Sequence, residues 1–398
     1  MAERPALYGG MPVRTSPFPS WPEFGNEEET LLLEALRSGH WGSLDGHLVA
    51  DLEREFAALQ GSRFGISVSN GTMALVVALK ALGIERGDEV LVPPYTFIAT
   101  ASAALMLGAI PVFVDVELDT LLIDPTKIDA AVTPRTRAII PVHHAGSPVD
   151  MDRVLAAARR HNLRVVEDAA QAAGAAWKGR PVGAIGDIGT FSFQSSKVIN
   201  SGEGGMMLTN DPALEEMLWS LRNVGRRRGG EWYEHVRLGW NLRITEFQAA
   251  VALAQMRRMP AQRERRAASA SYLTEQLQQI PDVNAVRVPD GVTAHSWYTY
   301  HFRWLGAEHG GLPKMEFARA LRAEGIPVFH GYVPLNRNEA VCDEIARLGG
   351  HAPDPCPAAE RAAADEVLMF SLPILMGERR DLDDVVTAVA KIAAHRAG

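Results

Sequence analysis

Two residues of opposite charge in this sequence have the types and placement for carbonyl chemistry. Lys197 follows the β-rich run Ile188–Phe193 by way of Ser195 and Ser196, and Asp168 follows Glu167 at the end of the apolar run Leu163–Val166. Short apolar runs of this kind predict buried strands, and open α/β sheets place their ligands at the carboxyl ends of such strands. An amine and a carboxylate delivered to neighbouring strand ends suit pyridoxal phosphate, which needs a lysine for its Schiff base and an acid beside its ring nitrogen. The acid keeps the ring protonated, so that the ring can accept electrons. By residue type alone the same pair also reads as a solvated loop lysine and a strand-end carboxylate. Past Lys197, the glycines 202, 204 and 205 allow the backbone to turn tightly.

The elements that must position this pair are legible around it. FGISVSNGTMALVVALKALG predicts strand, turn and helix, with Asn70, Gly71 and Thr72 at the junction. A helix N-terminus offers unpaired N–H groups and a positive dipole end to an anion, and an ordinary glycine turn with an N-cap is the alternative reading. EVLVPPYTFIATASAALMLGAIPVFVDV predicts strand, helix and strand, a rhythm that makes a largely parallel sheet. Further helices are expected over Glu27–Ser38, Val49–Leu59, Asp152–His161 and Pro212–Arg222, and a long one follows GWNLRITEFQAA. The expected division is a Pro- and Gly-rich arm over 1–26, a large domain over 27–257 and a smaller C-terminal α+β domain over 258–398. The small domain should hold a β-rich segment near Trp297–Trp304 and a helix over Lys314–Ala323.

Composition excludes several classes. With 398 residues, 47% of them hydrophobic, the chain can bury substantial cores, and a net charge of −8 argues against a nucleic-acid surface. Cys342 and Cys356 form no metal or disulfide pattern. The adjacent His143 and His144 project differently from a strand and lack an accompanying carboxylate set, so no metal site is expected; they read as residues lining a site or packed at a strand end. No apolar run reaches the length of a membrane span and the N-terminal residues lack the pattern of a secretory signal, so a cytoplasmic protein without a membrane or nucleic-acid partner is expected. Arg226–Arg228, inside GRRRGG, reads as a mobile loop or as a site for an anionic substrate group.

The words SNGTMAL, PPYTFIAT, EDAAQA, TFSFQSSK, GEGG and GWNLRITEFQAA, in that order, resemble the DegT/DnrJ/EryC1/StrS aminotransferases over nearly the whole chain. The resemblance implies the α/β fold of the fold type I pyridoxal-phosphate transferases, with a mostly parallel sheet in the large domain. It implies Lys197 as the Schiff-base lysine, Asp168 as the partner of the pyridine nitrogen, Gln171 near the ring hydroxyl and Phe97 flat against the ring. Gly71, Thr72 and Ser192 would grip the phosphate, and Asn241 of the GWN word would reach the phosphate of a partner subunit, making a homodimer with shared sites. The implied reaction moves an amino group from glutamate or glutamine to a keto-sugar or keto-cyclitol, in amino-sugar, polysaccharide or antibiotic biosynthesis. FQSSK with GEGG stands closer to the cyclitol and aminohydroxybenzoate types. His330 and Tyr332 are candidates near the substrate. The alternatives are a dehydratase of the same fold, whose histidine is replaced here by Lys197, and a non-catalytic regulatory protein.

Overall fold

The apolar runs that precede Asp168 and Lys197 form adjacent parallel strands, Arg164–Asp168 and Ile188–Ser192, paired so that Asp168 stands opposite Thr190. They lie near the middle of a seven-stranded sheet in the computed structural model, which describes residues 4–395. Across the sheet the order is Phe64–Val68, Gly205–Thr209, Ile188–Ser192, Arg164–Asp168, Thr136–Ile139, Glu89–Val92 and Ile110–Phe113. Only Gly205–Thr209 runs against the rest, since it pairs antiparallel with both neighbours while every other pairing is parallel. The expected largely parallel sheet is therefore present, and with it a single direction along which strand ends gather side chains.

Such a sheet must be covered on both faces, which is why its strands are largely apolar. Val90, Leu91 and Val92 are fully buried. One face carries the helix Gly71–Ala81, with Val77 and Leu79 inside, and the other carries Leu48–Leu59 and the start of Glu246–Leu277. There Phe56 meets the edges of Phe191 and Phe193 at 4.9 and 5.3 Å, edge-to-face pairs that each add about 0.5–1.5 kcal/mol beyond burial.

A second core lies beyond. The antiparallel strands Val283–Ala285, Tyr300–Trp304 and Val367–Phe370 pack with the helices Lys314–Ala323 and Arg379–Ala393. Glu246–Leu277, begun by a Thr245 cap and its Gln248 partner, joins the two: Ala249–Met259 packs under the large sheet and Ala270–Leu277 in the second core. The Pro- and Gly-rich N-terminal stretch is tied to this second unit, for Arg14 pairs with Asp381 and Asp384 at 2.8 Å and the Glu324 carboxylate accepts from the amides of Ala6 and Val13. Among the described residues no helix is long and apolar enough to cross a membrane.

Candidate active site

At the carboxyl ends of the strands lies a cavity of about 610 Å³. Gly71, Thr72, Phe97, Asp168, Gln171, Ser192 and Lys197 all line it. Asn241 does not: it is exposed, and its backbone bridges to Asn223.

One wall is the start of the helix Gly71–Ala81. Asn70 caps it, its Oδ1 accepting from the Met73 amide at 2.8 Å, which leaves other amides of the first turn for an anion. Glycine at 71 is a steric requirement, since a Cβ there would stand 2.7 Å from Cβ of Ser192. Gly205 answers to the same crowding, because a Cβ there would meet the Asn70 carbonyl at 2.8 Å. The helix start, Ser192 and the glycine-rich turn are thus pressed together into one cradle.

The opposite end of the cavity is acidic and buried. Asp168 is 6% exposed, its Oδ2 accepts from the Thr100 hydroxyl at 2.8 Å and its Oδ1 from the Ala170 amide at 3.2 Å. Burial raises the Asp168 carboxyl above its ordinary range, against those two donors and the positive charge of Lys197. A carboxylate so placed gains most from a cationic partner inside the cavity. Its neighbour Glu167, on the other face of the strand, is used structurally. Burial pushes Glu167 up, but His143 and the amides of Gly183 and Gly186 hold it below its usual value. His143 accepts from the Val149 amide at Nδ1, so Nε2 carries the hydrogen donated to Glu167 across 3.0 Å. His143 and His144 are both buried, and no group of three or more metal-ligating side chains occurs among the described residues.

Lys197 is half-buried, its Nζ 4.4 Å from the ring centre of Tyr298, whose hydroxyl lies 2.8 Å from Ser196 Oγ. Phe97 is 56% exposed although it lines a cavity between buried strands, an aromatic surface left free for a ligand. Gln171 is fixed at both ends: Oε1 accepts from the Ala145 amide at 2.7 Å and Nε2 donates to the Tyr332 hydroxyl at 3.2 Å. Of the two C-terminal candidates, Tyr332 reaches the cavity, with its phenol raised by burial, and His330 is exposed outside it, its carbonyl accepting from Lys314.

The sequence reading missed Thr100 and Tyr298. Thr100 had a signal, since it sits four residues after Thr96 in PPYTFIAT and so on the same face of a helical turn; the two hydroxyls lie 3.3 Å apart. Tyr298 had none. Of Arg226–Arg228, Arg227 pairs with Glu234 at 3.1 Å, Arg228 pairs with Glu215 and lies over Trp219, and Arg226 lies over Trp232 with no carboxylate partner among the described residues.

Comparison with known proteins shows the family. The chain is 38% identical to the putative L-glutamine:3-amino-2,3-dideoxy-scyllo-inosose aminotransferase of Streptoalloteichus tenebrarius, over 98% of each chain. It is 36% identical to the L-glutamine:scyllo-inosose aminotransferase of Streptomyces griseus, over 97% of each. Among solved structures, 3-amino-5-hydroxybenzoic acid synthase superposes with a TM-score of 0.88 at 33% identity, covering 96% of this chain and 100% of that one. The model of the DegT/DnrJ/EryC1/StrS aminotransferase family matches residues 22–390, and with the strand-end lysine and aspartate described above this chain belongs to that family.

Proposed function

We propose that the protein is a pyridoxal-phosphate aminotransferase that carries the amino group of glutamine to the carbonyl of an uncharged keto-cyclitol. The observation that carries this reading is that Lys197 and Asp168 line one cavity together with the free Phe97 ring and the capped helix start at Gly71. The residues fit the cofactor. The cradle of Gly71, Thr72 and Ser192 suits a phosphate, Phe97 a flat ring, and the buried Asp168 a protonated ring nitrogen. Gln171, held by Ala145 and Tyr332, would present its amide to the ring hydroxyl.

When bound, the cofactor supplies the carbonyl that exchanges amines and a ring that draws electrons from the substrate. Lys197 would hold it covalently and, once released, its amine would move a proton from Cα of the donor to the cofactor carbon that takes up the amine, and in the second half-reaction from that carbon to the acceptor carbon. Asp168 keeps the proton on the ring nitrogen. Tyr298 beside the lysine covers it from solvent on one side.

The keto-cyclitol is supported by what the relatives' names say of their own acceptors and by the cavity's charge. Among the described residues no arginine lines it and Lys197 is its one lysine, and Arg227 and Arg228 are paired with Glu234 and Glu215, so its own lining holds no guanidinium for a diphosphate. A second copy completes the site in this reading. The exposed Asn241 is then available to reach the partner's phosphate. We place the boundary between large and small domains within Glu246–Leu277, and the free thiols Cys342 and Cys356 support a reducing, cytoplasmic setting. The test is to load the protein with pyridoxal phosphate, convert it with glutamine, and offer keto-cyclitols and nucleotide keto-sugars. Return of the yellow carbonyl form with scyllo-inosose or 2-deoxy-scyllo-inosose, and not with nucleotide keto-sugars, is the expected result; the reverse selectivity overturns the assignment.

A further inference from the structure

Ser196 and Tyr298, whose hydroxyls meet at 2.8 Å beside Lys197, line a second cavity as well as the first. This annex has a volume of about 320 Å³ and is walled by four distant parts of the chain: Trp21 and Pro22 ahead of the first long helix, Ser195 and Ser196 next to the lysine, Tyr298 and Thr299, and Ser371–Pro373. None of its lining residues is charged. Trp21 and Tyr298 give it aromatic surface, Ser195, Ser196 and Ser371 are the serines of its lining, the Thr299 hydroxyl is hydrogen-bonded to His301 Nε2 at 3.1 Å, and Trp21 Nε1 is buried with no hydrogen-bond partner among the described residues. Ser371 stands at a helix start yet caps no amide, and its hydroxyl has no hydrogen-bond partner among the described residues.

We propose that the annex is a subsite for a second, uncharged, polyhydroxylated ring joined to the ring that reacts, so that the site takes a cyclitol glycoside as well as a lone cyclitol. The inference rests on the first cavity being the site of a keto-cyclitol. The reacting ring must lie near Lys197, and a ring attached to it meets the annex across the Ser196–Tyr298 junction. Aromatic surface accepts the C–H faces of a sugar ring, and hydroxyls exchange hydrogen bonds with its hydroxyls, while a phosphate or carboxylate would be desolvated there without a countercharge. The uncommitted Ser371 hydroxyl is an available partner for such a ring.

The test uses the dimeric or monomeric holoenzyme as it is isolated, in its pyridoxamine form, with myo-inositol as a one-ring probe and galactinol, an inositol galactoside, as a neutral two-ring probe. Titration calorimetry should find galactinol bound at least about tenfold more tightly, the equivalent of one or two good hydrogen bonds with some apolar burial. Ser371→Val and Trp21→Ala should each reduce that preference, and Trp21→Phe, which keeps the aromatic surface and guards against a folding defect, should retain it. Equal affinity of the two probes, or a preference that survives both Ser371→Val and Trp21→Ala, overturns the subsite while leaving the keto-cyclitol reading intact. Binding of neither probe, with the glutamine half-reaction still running, overturns the annex and counts against the keto-cyclitol reading on which it rests.

Discussion

Thr100 donates its hydroxyl hydrogen to Asp168 Oδ2 across 2.8 Å, inside a wall where both side chains are buried. Thr96 stands behind it at 3.3 Å, so a short chain of hydroxyls ends on the carboxylate. The bond favours the charged form of an acid that burial otherwise pushes toward neutrality. Thr100→Val should therefore move the acid limb of the kcat profile to higher pH. A hydrogen bond to a charged group contributes about 1.5–3 kcal/mol, so kcat should fall about tenfold or more. Thr100→Ser should restore most of it, and an unmoved pH profile in Thr100→Val would remove Thr100 from the site's electrostatics.

The same burial gives Asp168 opposite effects on stability and activity. Its folded value is raised above the unfolded value of about 3.9, so in the cofactor-free protein the charged form is the penalised one. The penalty is absent below the unfolded value, grows as pH rises toward the folded value and is complete above it. Asp168→Asn removes it, so the gap in Tm between variant and parent apoprotein should widen in the variant's favour from about pH 4 upward until the raised folded value is passed. Transamination by the variant should meanwhile fall by orders of magnitude. Thermal scans across pH, with turnover at neutral pH, check both halves; a variant equally active would end the assigned role of Asp168.

Gly71→Ala tests the cradle. The new methyl would stand 2.7 Å from Ser192 Cβ, so the helix start or the strand end must shift. Overpacking of this kind costs about 1–3 kcal/mol of stability. Cofactor affinity should fall by about tenfold or more, measured by equilibrium dialysis, because the phosphate groups are displaced together. Unchanged affinity would place the phosphate elsewhere.

Asn241 lies outside the cavity of its own chain, so its assigned role requires a second one. Lys197→Ala and Asn241→Ala homodimers should each be impaired, and co-expressed differently tagged subunits should yield heterodimers with one site carrying both native residues. That site should restore up to about half of one wild-type dimer's activity, by the symmetry of a two-site dimer. Isolated heterodimers no more active than the Asn241→Ala homodimer would contradict a shared site.

Much of this was legible in the sequence because the site is built at strand ends. The runs before Asp168 and Lys197 are short, apolar and β-rich, and they became adjacent parallel strands. Asn70-Gly71-Thr72 carried the signals of a capped helix start and formed one. What stayed hidden depends on contacts between distant segments. Tyr298 comes to Lys197 from a distant segment of the chain, and in the Arg226–Arg228 run, open to two readings as a sequence, Arg227 and Arg228 are paired with Glu234 and Glu215, partners that no local spacing specifies. Phe97 was ambiguous for a related reason, since apolar neighbours suggest core and only the folded cavity leaves its ring 56% exposed.

The central claim is that Lys197 carries the cofactor. The direct measurement is reduction of the pyridoxal-phosphate-loaded protein with borohydride, followed by peptide mapping by mass spectrometry. The account predicts a phosphopyridoxyl group on the peptide containing Lys197, at close to one per chain, and no stoichiometric label in Lys197→Ala. Stoichiometric label on any other lysine, or an unlabelled wild-type Lys197, would contradict it.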